Sequence, residues 1–195
     1  ISESKGGSLI GRGVFGHCDK PTQNGRIYSR SLIEREIGKL REQNLLEQGR
    51  FRGELEHPDD ASTDLRRVSH YIPDLQVEDN GLVLGELRVM ENTRNGSQLQ
   101  GILDAGCVVG VSSRGLGSTE PVGEGNVKVQ EDFDLVAYDV VDDPSVEKAL
   151  PEFQFESTRS DLEGIVKDYA YKREDNQWTG VTLPDKSNGK QIDSS

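Results

Sequence analysis

The spacing of apolar residues changes along the chain, and these changes predict where helices and strands form. Over residues 32–48, apolar side chains recur at every third or fourth position between charged ones, which predicts an amphipathic helix. Ser29 or Ser31 is suitably placed to cap the N-terminus of this helix. Two shorter helices are predicted, one over residues 63–70 and one over residues 96–105.

Strands are predicted where apolar residues alternate with polar ones or form short β-branched runs. Residues 72–77 and 81–90 are two such segments, and the Asp79-Asn80-Gly81 turn between them predicts a β-hairpin. Further strands are predicted over residues 107–111, 127–129 and 133–141.

The polar composition of both ends separates them from the middle of the chain. Residues 1–13 are rich in Gly, Ser and charged residues and are expected to form a flexible leader. Residues 14–150 hold most apolar positions and are long enough to bury one core, so one domain is expected there. Residues 151–195 form a polar tail, in which residues 160–172 have the pattern of a short helix.

Composition and charge narrow the range of partners. The 23 basic and 35 acidic side chains give a formal net charge of -12, which would repel a nucleic-acid backbone, so no nucleic-acid partner is expected. No apolar run approaches the roughly 18 residues of a membrane span, and no secretory signal is evident, so no membrane partner is expected. The cysteines and histidines lack metal-site spacing, and no metal or cofactor is expected.

Serine and histidine side chains stand at positions that suit nucleophilic catalysis. Ser112 and Ser113 follow a predicted buried strand and begin a glycine-containing segment, where backbone amides can face a developing negative charge. His57 precedes Pro58, which disfavours helical backbone and so predicts an extended segment. A serine hydroxyl is a weak nucleophile that needs such a base within hydrogen-bonding reach, and an Asp on a neighbouring strand could hold the imidazole.

Two strings of residues resemble the signature segments of a known protease family. The strings are Gly53-Glu54-Leu55-Glu56-His57-Pro58 and Gly110-Val111-Ser112-Ser113-Arg114-Gly115-Leu116-Gly117-Ser118. They are similar to motifs of the prohead core proteases of tailed bacteriophages, which are relatives of the herpesvirus assemblins. Shorter similar segments occur in the same order at residues 24–28, 68–70 and 139–145.

The resemblance implies roles for individual residues. Ser112, the first serine of its string, would be the nucleophile, with Ser113 as the alternative, and His57 would be the general base. The segment formed by Ser113, Arg114 and Gly115 would lie near the oxyanion, with backbone amides as the donors.

The third catalytic residue stays open between three candidates. The assemblins use a second histidine on a later strand, and this chain has no histidine after His70. Asp139 lies on a predicted strand at a comparable distance beyond Ser112 and is the favoured candidate. His70 and Glu54 are the alternatives.

The resemblance also implies a fold and a biological setting. The fold would be α+β, with a small, mostly antiparallel β-barrel surrounded by helices, as in the assemblins. The enzyme would be a serine endopeptidase that cleaves viral scaffold or core proteins and capsid proteins inside the prohead, which assembles in the host cytoplasm. Self-association into a homo-oligomer is expected by analogy with the assemblins.

Family members of the phage type commonly cut after a glutamate that has an aliphatic residue two positions earlier. The segment Leu150-Pro151-Glu152 fits this pattern at the expected edge of the domain. The part of the polar tail that follows Glu152 is therefore a candidate for removal by self-processing.

Two other functions fit parts of the sequence. One is a catalytically idle capsid or scaffold component with the same fold, although the presence of both His57 and Ser112 argues against it. The other is an esterase or related acyl hydrolase. That enzyme class would need a G-x-S-x-G motif, and Gly110-Val111-Ser112-Ser113-Arg114 lacks the closing glycine.

Overall fold

The computed structural model of the protein describes residues 9–155. Its helices are α1 (Arg30–Glu42) and α2 (Arg94–Asp104). Its strands are β1 (Leu9–His17), β2 (Arg26–Ile27), β3 (Arg52–Glu54), β4 (Val68–Val77), β5 (Leu82–Val89), β6 (Gly110–Leu116), β7 (Thr119–Gly123), β8 (Asn126–Val129), β9 (Asp134–Val141) and β10 (Glu152–Phe155).

The described strands form three sheets, and most strand pairs are antiparallel. The largest sheet has the order β10-β1-β5-β4-β3, a second has the order β2-β8-β7, and β6 pairs with β9 in the third. A single parallel bridge between Leu55 and Val140 links β9 to the chain just after β3. The predicted α+β class is confirmed. The predicted barrel is not closed within residues 9–155, because this single bridge replaces a continuous ladder between the sheets.

Helix α1 covers one side of the core, as its apolar spacing predicts. Leu32, Ile33, Ile37 and Leu40 are buried along one face of the helix. The hydroxyl of Ser29 caps the N-terminus by accepting a hydrogen bond from the Leu32 amide at 3.3 Å. The helix ends before residue 48, since Asn44 adopts a left-handed conformation with φ of 53°.

The hairpin of β4 and β5 confirms the predicted pair of strands, but the helix predicted over residues 63–70 is wrong. Residues from Val68 onward belong to β4, and His70 is paired with Gly53 of β3 on one side and Val89 of β5 on the other. Val68 and His70 are buried. Pairing in the sheet therefore overrides the weak helical pattern of this segment.

The folded structure extends beyond both predicted domain boundaries. Strand β1 begins at Leu9, ahead of residue 14, and both Leu9 and Ile10 are buried. Strand β10 lies beyond residue 150 and pairs with the start of β1. The helix predicted over residues 160–172 lies outside the described residues.

Residues 9–155 contain neither a membrane-spanning helix nor a cluster of metal-binding side chains. Neither helix of this part of the chain is long and apolar enough to cross a membrane. No group of three or more His, Cys, Asp or Glu side chains is arranged there to hold a metal ion.

Candidate active site

Ser112 lies in the middle of strand β6 rather than at a turn after it. The strand continues to Leu116, and Ser112 is paired with Asp139 of β9. The prediction that the strand ends at residue 111 is wrong, because the glycines that suggested a turn serve close packing instead. A Cβ atom at Gly115 or Gly117 would collide with Phe133.

The two serines point to opposite sides of the sheet of β6 and β9. Directly paired residues share a face and successive residues alternate, so Ser112 shares its face with Asp139. Ser113 is paired with Tyr138 on the other face, where it lines a cavity together with Phe15. Only the first of the two serines therefore shares a face with the carboxylate.

The backbone of the histidine segment is fixed against β9. The Glu54 amide donates to Oδ1 of Asp139 at 2.9 Å, Leu55 bridges Val140, and the Glu56 amide donates to the Val140 carbonyl at 2.8 Å. Glu56 has a left-handed φ of 57°, so the chain turns immediately before His57. The imidazole that follows is 41% exposed.

The carboxylate of Asp139 is fully buried and accepts hydrogen bonds on both oxygens. Oδ2 lies 2.8 Å from Nδ1 of His57 and 2.7 Å from Nε of Arg114. Oδ1 accepts from Nη2 of Arg114 at 3.2 Å and from the Glu54 amide. Burial by itself raises the pKa of Asp139, but the hydrogen bonds from His57, Arg114 and Glu54 outweigh it and hold the pKa below its usual value.

The guanidinium of Arg114 also ties down the loop that follows His57. Its Nη1 donates to the carbonyl oxygens of Asp60 at 3.2 Å and Ala61 at 3.0 Å. From the other side of this loop, Nε of Arg67 donates to the buried Glu54 carboxylate at 2.7 Å. The chain on both sides of His57 is therefore held by charged hydrogen bonds.

The two alternative candidates for the third catalytic residue make other contacts. Nε2 of the buried His70 donates to the Tyr138 carbonyl at 2.9 Å, and its Nδ1 lies 2.8 Å from Oγ of Ser69. Burial lowers the pKa of His70 to about 4, although the hydrogen bond to Tyr138 opposes the shift. The Glu54 carboxylate binds Arg67. The hydrogen bonds of both side chains are thus directed to groups other than His57.

Two contacts of the site were missed by the sequence analysis. Arg114 was expected near the oxyanion through its backbone, whereas its side chain binds Asp139. Oγ of Ser145 lies 3.2 Å from Oγ of Ser112, and no role had been assigned to it. The first could have been found from the strand period, because residues 112 and 114 of one strand share a face.

Comparison with known proteins gives the family. Residues 3–159 match the family described as prohead core protein serine protease, which is most of the chain. The chain belongs to this family. The segment that contains Ser112 lies on β6, and the segment that precedes His57 is fixed to β9.

Two matches from bacteriophage T4, one to a protein sequence and one to a solved structure, illustrate the similarity. The prohead core protein protease of Enterobacteria phage T4 is 36% identical over 140 residues, which cover 70% of this chain and 65% of the relative. The chain thus spans less than two thirds of that relative's length. The solved structure of the bacteriophage T4 capsid assembly protease matches with a TM-score of 0.66 and 30% identity, over 70% of this chain and 84% of that chain.

Proposed function

We propose that this chain is a serine endopeptidase that cleaves scaffold or core proteins and capsid proteins during prohead maturation. The observation that carries the proposal is the 2.8 Å contact between Nδ1 of His57 and the buried carboxylate of Asp139, the residue paired with Ser112. Membership of the prohead core protein serine protease family supports it.

In the proposed mechanism, Ser112 is the nucleophile, His57 the base and Asp139 the residue that orients the base. Asp139 accepts the Nδ1 proton of His57, which leaves the lone pair of Nε2 to take the proton of the Ser112 hydroxyl. The serine oxygen attacks the peptide carbonyl, the leaving amine takes the proton from His57, and water then hydrolyses the acyl-enzyme. The steps need no metal or cofactor.

The proposed oxyanion region consists of Ser113, Arg114 and Gly115. Within it, we propose that the backbone amide of Ser113 donates the hydrogen bond to the oxyanion. The Val111 amide donates away from β9, to the Ala149 carbonyl at 2.8 Å. Amides of alternate residues in an antiparallel strand point to the same edge, so the Ser113 amide shares the edge of Val111. The amide of Arg114 is directed by the same rule toward its partner Ala137 on β9.

The proposed setting is the interior of a prohead that is assembled in the host cytoplasm. The net charge of -12 fits protein substrates better than a nucleic-acid partner. Self-association, as in the related assemblins, belongs to the same proposal. The competing proposal is that the chain is a catalytically idle capsid or scaffold component. Such a component would differ from the proposed protease in that it does not cleave peptide bonds.

Cleavage of a synthetic peptide tests the proposal directly. Incubation of the wild type with a peptide containing Leu-x-Glu is expected to give one cut after the glutamate, read by mass spectrometry. Replacement of His57 by alanine should lower the rate by about 10⁴-fold or more, because the base is lost. A peptide that differs only by Gln in place of Glu should be cut more slowly, which tests the proposed specificity.

An uncut peptide under assembly-like conditions, with co-expressed scaffold protein also intact, would favour the idle component. Equal cleavage by the wild type and by His57→Ala would contradict the proposed mechanism.

Self-processing after Glu152 follows from the same proposal. Glu152 lies in β10, where it is paired with Arg12 of β1, so the bond to Phe153 can be cut only after this end of β10 leaves the sheet. We expect the wild type to release its tail slowly, which mass spectrometry would detect as a product that ends at residue 152. Ser112→Ala should stay intact, and Glu152→Gln should lose the tail more slowly than the wild type. Identical tail fragments from the wild type and Ser112→Ala would contradict self-processing.

A further inference from the structure

Ser145 lies beside the nucleophile on the edge of β6 that β9 does not occupy. Its Oγ is 3.2 Å from Oγ of Ser112. The chain after it follows the same edge, where Ala149 accepts the hydrogen bond of the Val111 amide. Strand β9 and the attached His57 lie on the opposite side of Ser112. Ser112 therefore lies between the strand whose Asp139 binds His57 on one side and a second hydroxyl on the other.

The position of Ser145 is fixed by its surroundings. Its carbonyl accepts a hydrogen bond from the Gln23 amide at 2.8 Å. The preceding Pro144 packs so closely on Gly110 that a Cβ atom there would lie 2.5 Å from Cγ of the proline. Ser145 itself is half-buried. A hydroxyl held in this way can donate to a nearby charge with little reorganisation.

The geometry points to Ser145 as a second oxyanion donor that acts together with the amide of Ser113, an inference that rests on the proposed function. The serine oxygen bonds to the substrate carbonyl carbon while its proton passes to His57. The electron pair of the C=O π bond moves onto the carbonyl oxygen, which accepts hydrogen bonds from the Ser145 hydroxyl and the Ser113 amide. Collapse reforms the C=O bond and expels the amine, which takes the proton from His57.

Both donors lie on the edge of β6 that is remote from the base. A donor at this edge can contact the developing oxyanion without competing with His57 for the serine proton. The Ser145 hydroxyl is within hydrogen-bonding distance of the oxygen that becomes bonded to the reacting carbon, so it needs only a small rotation to reach the carbonyl oxygen.

The test compares Ser145→Ala, Ser145→Thr and the matched control Ser97→Ala, whose serine is exposed on helix α2. We expect Ser145→Ala to lower kcat for the Leu-x-Glu peptide by about 10²- to 10³-fold with little change in KM. Ser145→Thr, which keeps the hydroxyl, should recover most of the loss. Ser97→Ala should match the wild type.

The second readout is the affinity for a peptidyl trifluoromethyl ketone, which forms a hemiketal oxyanion with the nucleophile. In Ser145→Ala its inhibition constant should rise by about the same factor as kcat falls. Unchanged or increased activity would overturn the inference, as would a loss of kcat with unchanged ketone affinity, which would mean that Ser145 only orients Ser112. A wild type that neither cleaves the peptide nor binds the ketone would overturn the proposed function and the inference together.

Discussion

Replacing Ser112 by alanine is expected to abolish peptide cleavage, with a fall in kcat of about 10⁶-fold, whereas Ser113→Ala stays within about tenfold of the wild type. The physical reason is the alternation of side chains along β6. Ser112 shares a face with Asp139 and thus with His57, and Ser113 points to the opposite face beside Phe15. Alanine at position 113 keeps the backbone amide, so the proposed hydrogen bond from this amide to the oxyanion is retained.

Cleavage rates and covalent labelling measure this difference. A fluorophosphonate should label Ser112 alone in the wild type, as located by peptide mass spectrometry, and should still label Ser113→Ala. Both variants should keep the wild-type thermal transition, because each loses one hydroxyl. Labelling at Ser113, or full activity of Ser112→Ala, would assign the nucleophile to the other serine.

Asp139→Asn is expected to lower kcat by about 10⁴-fold and also to destabilise the fold. Both carboxylate oxygens accept hydrogen bonds, Oδ2 from His57 and Arg114 and Oδ1 from Arg114 and the Glu54 amide. The amide NH₂ of asparagine must replace one of these oxygens, and at either position it meets a donor. Opposite His57 it would favour the tautomer that carries its proton on Nε2, which cannot accept the serine proton.

The matched control is Asp134→Asn on the same strand. The Asp134 carboxylate is 73% exposed and pairs with Lys39 at 3.1 Å, so its loss should cost at most about 1 kcal/mol and leave kcat unchanged. Asp139→Asn leaves the Arg114 guanidinium short of a buried acceptor, and about 3–5 kcal/mol of unfolding free energy should be lost. Urea unfolding and single-turnover cleavage separate the two effects. Equal kinetics of both variants would remove Asp139 from the mechanism.

The elements in which apolar residues recur at a regular spacing were predictable from the sequence. Helix α1 and the hairpin of β4 and β5 follow from apolar spacing and an Asn-Gly turn. Strands β2 and β10 were not predicted, because they depend on distant partners: β2 pairs with β8, and β10 pairs with β1 across most of the chain. Strand β7 pairs with the adjacent β8, but its five residues are all exposed and show no apolar alternation. The extension of β6 through Gly115 was missed because glycine indicates turns as often as close packing.

The candidate site was predictable to the extent that its residues lie in recognisable strings. His57 and Ser112 came from two such strings, and Asp139 from its position on a predicted strand. The guanidinium of Arg114 was missed because the strand was ended too early. Ser145 was missed because its proximity to Ser112 depends on the chain returning along the free edge of β6 after β9.

The pairing of β10 with β1 has a consequence for the aggregation of the form that the proposed self-processing would produce. Strand β10 is the outermost strand of the five-stranded sheet, and it covers the first residues of β1. Release of β10 would leave the amides and carbonyls of residues such as Ile10 without partners. An uncovered strand edge is a template for pairing with another chain. While β10 is present, it protects this strand edge from pairing with other chains. The form that has lost β10 would therefore aggregate more readily when it is isolated.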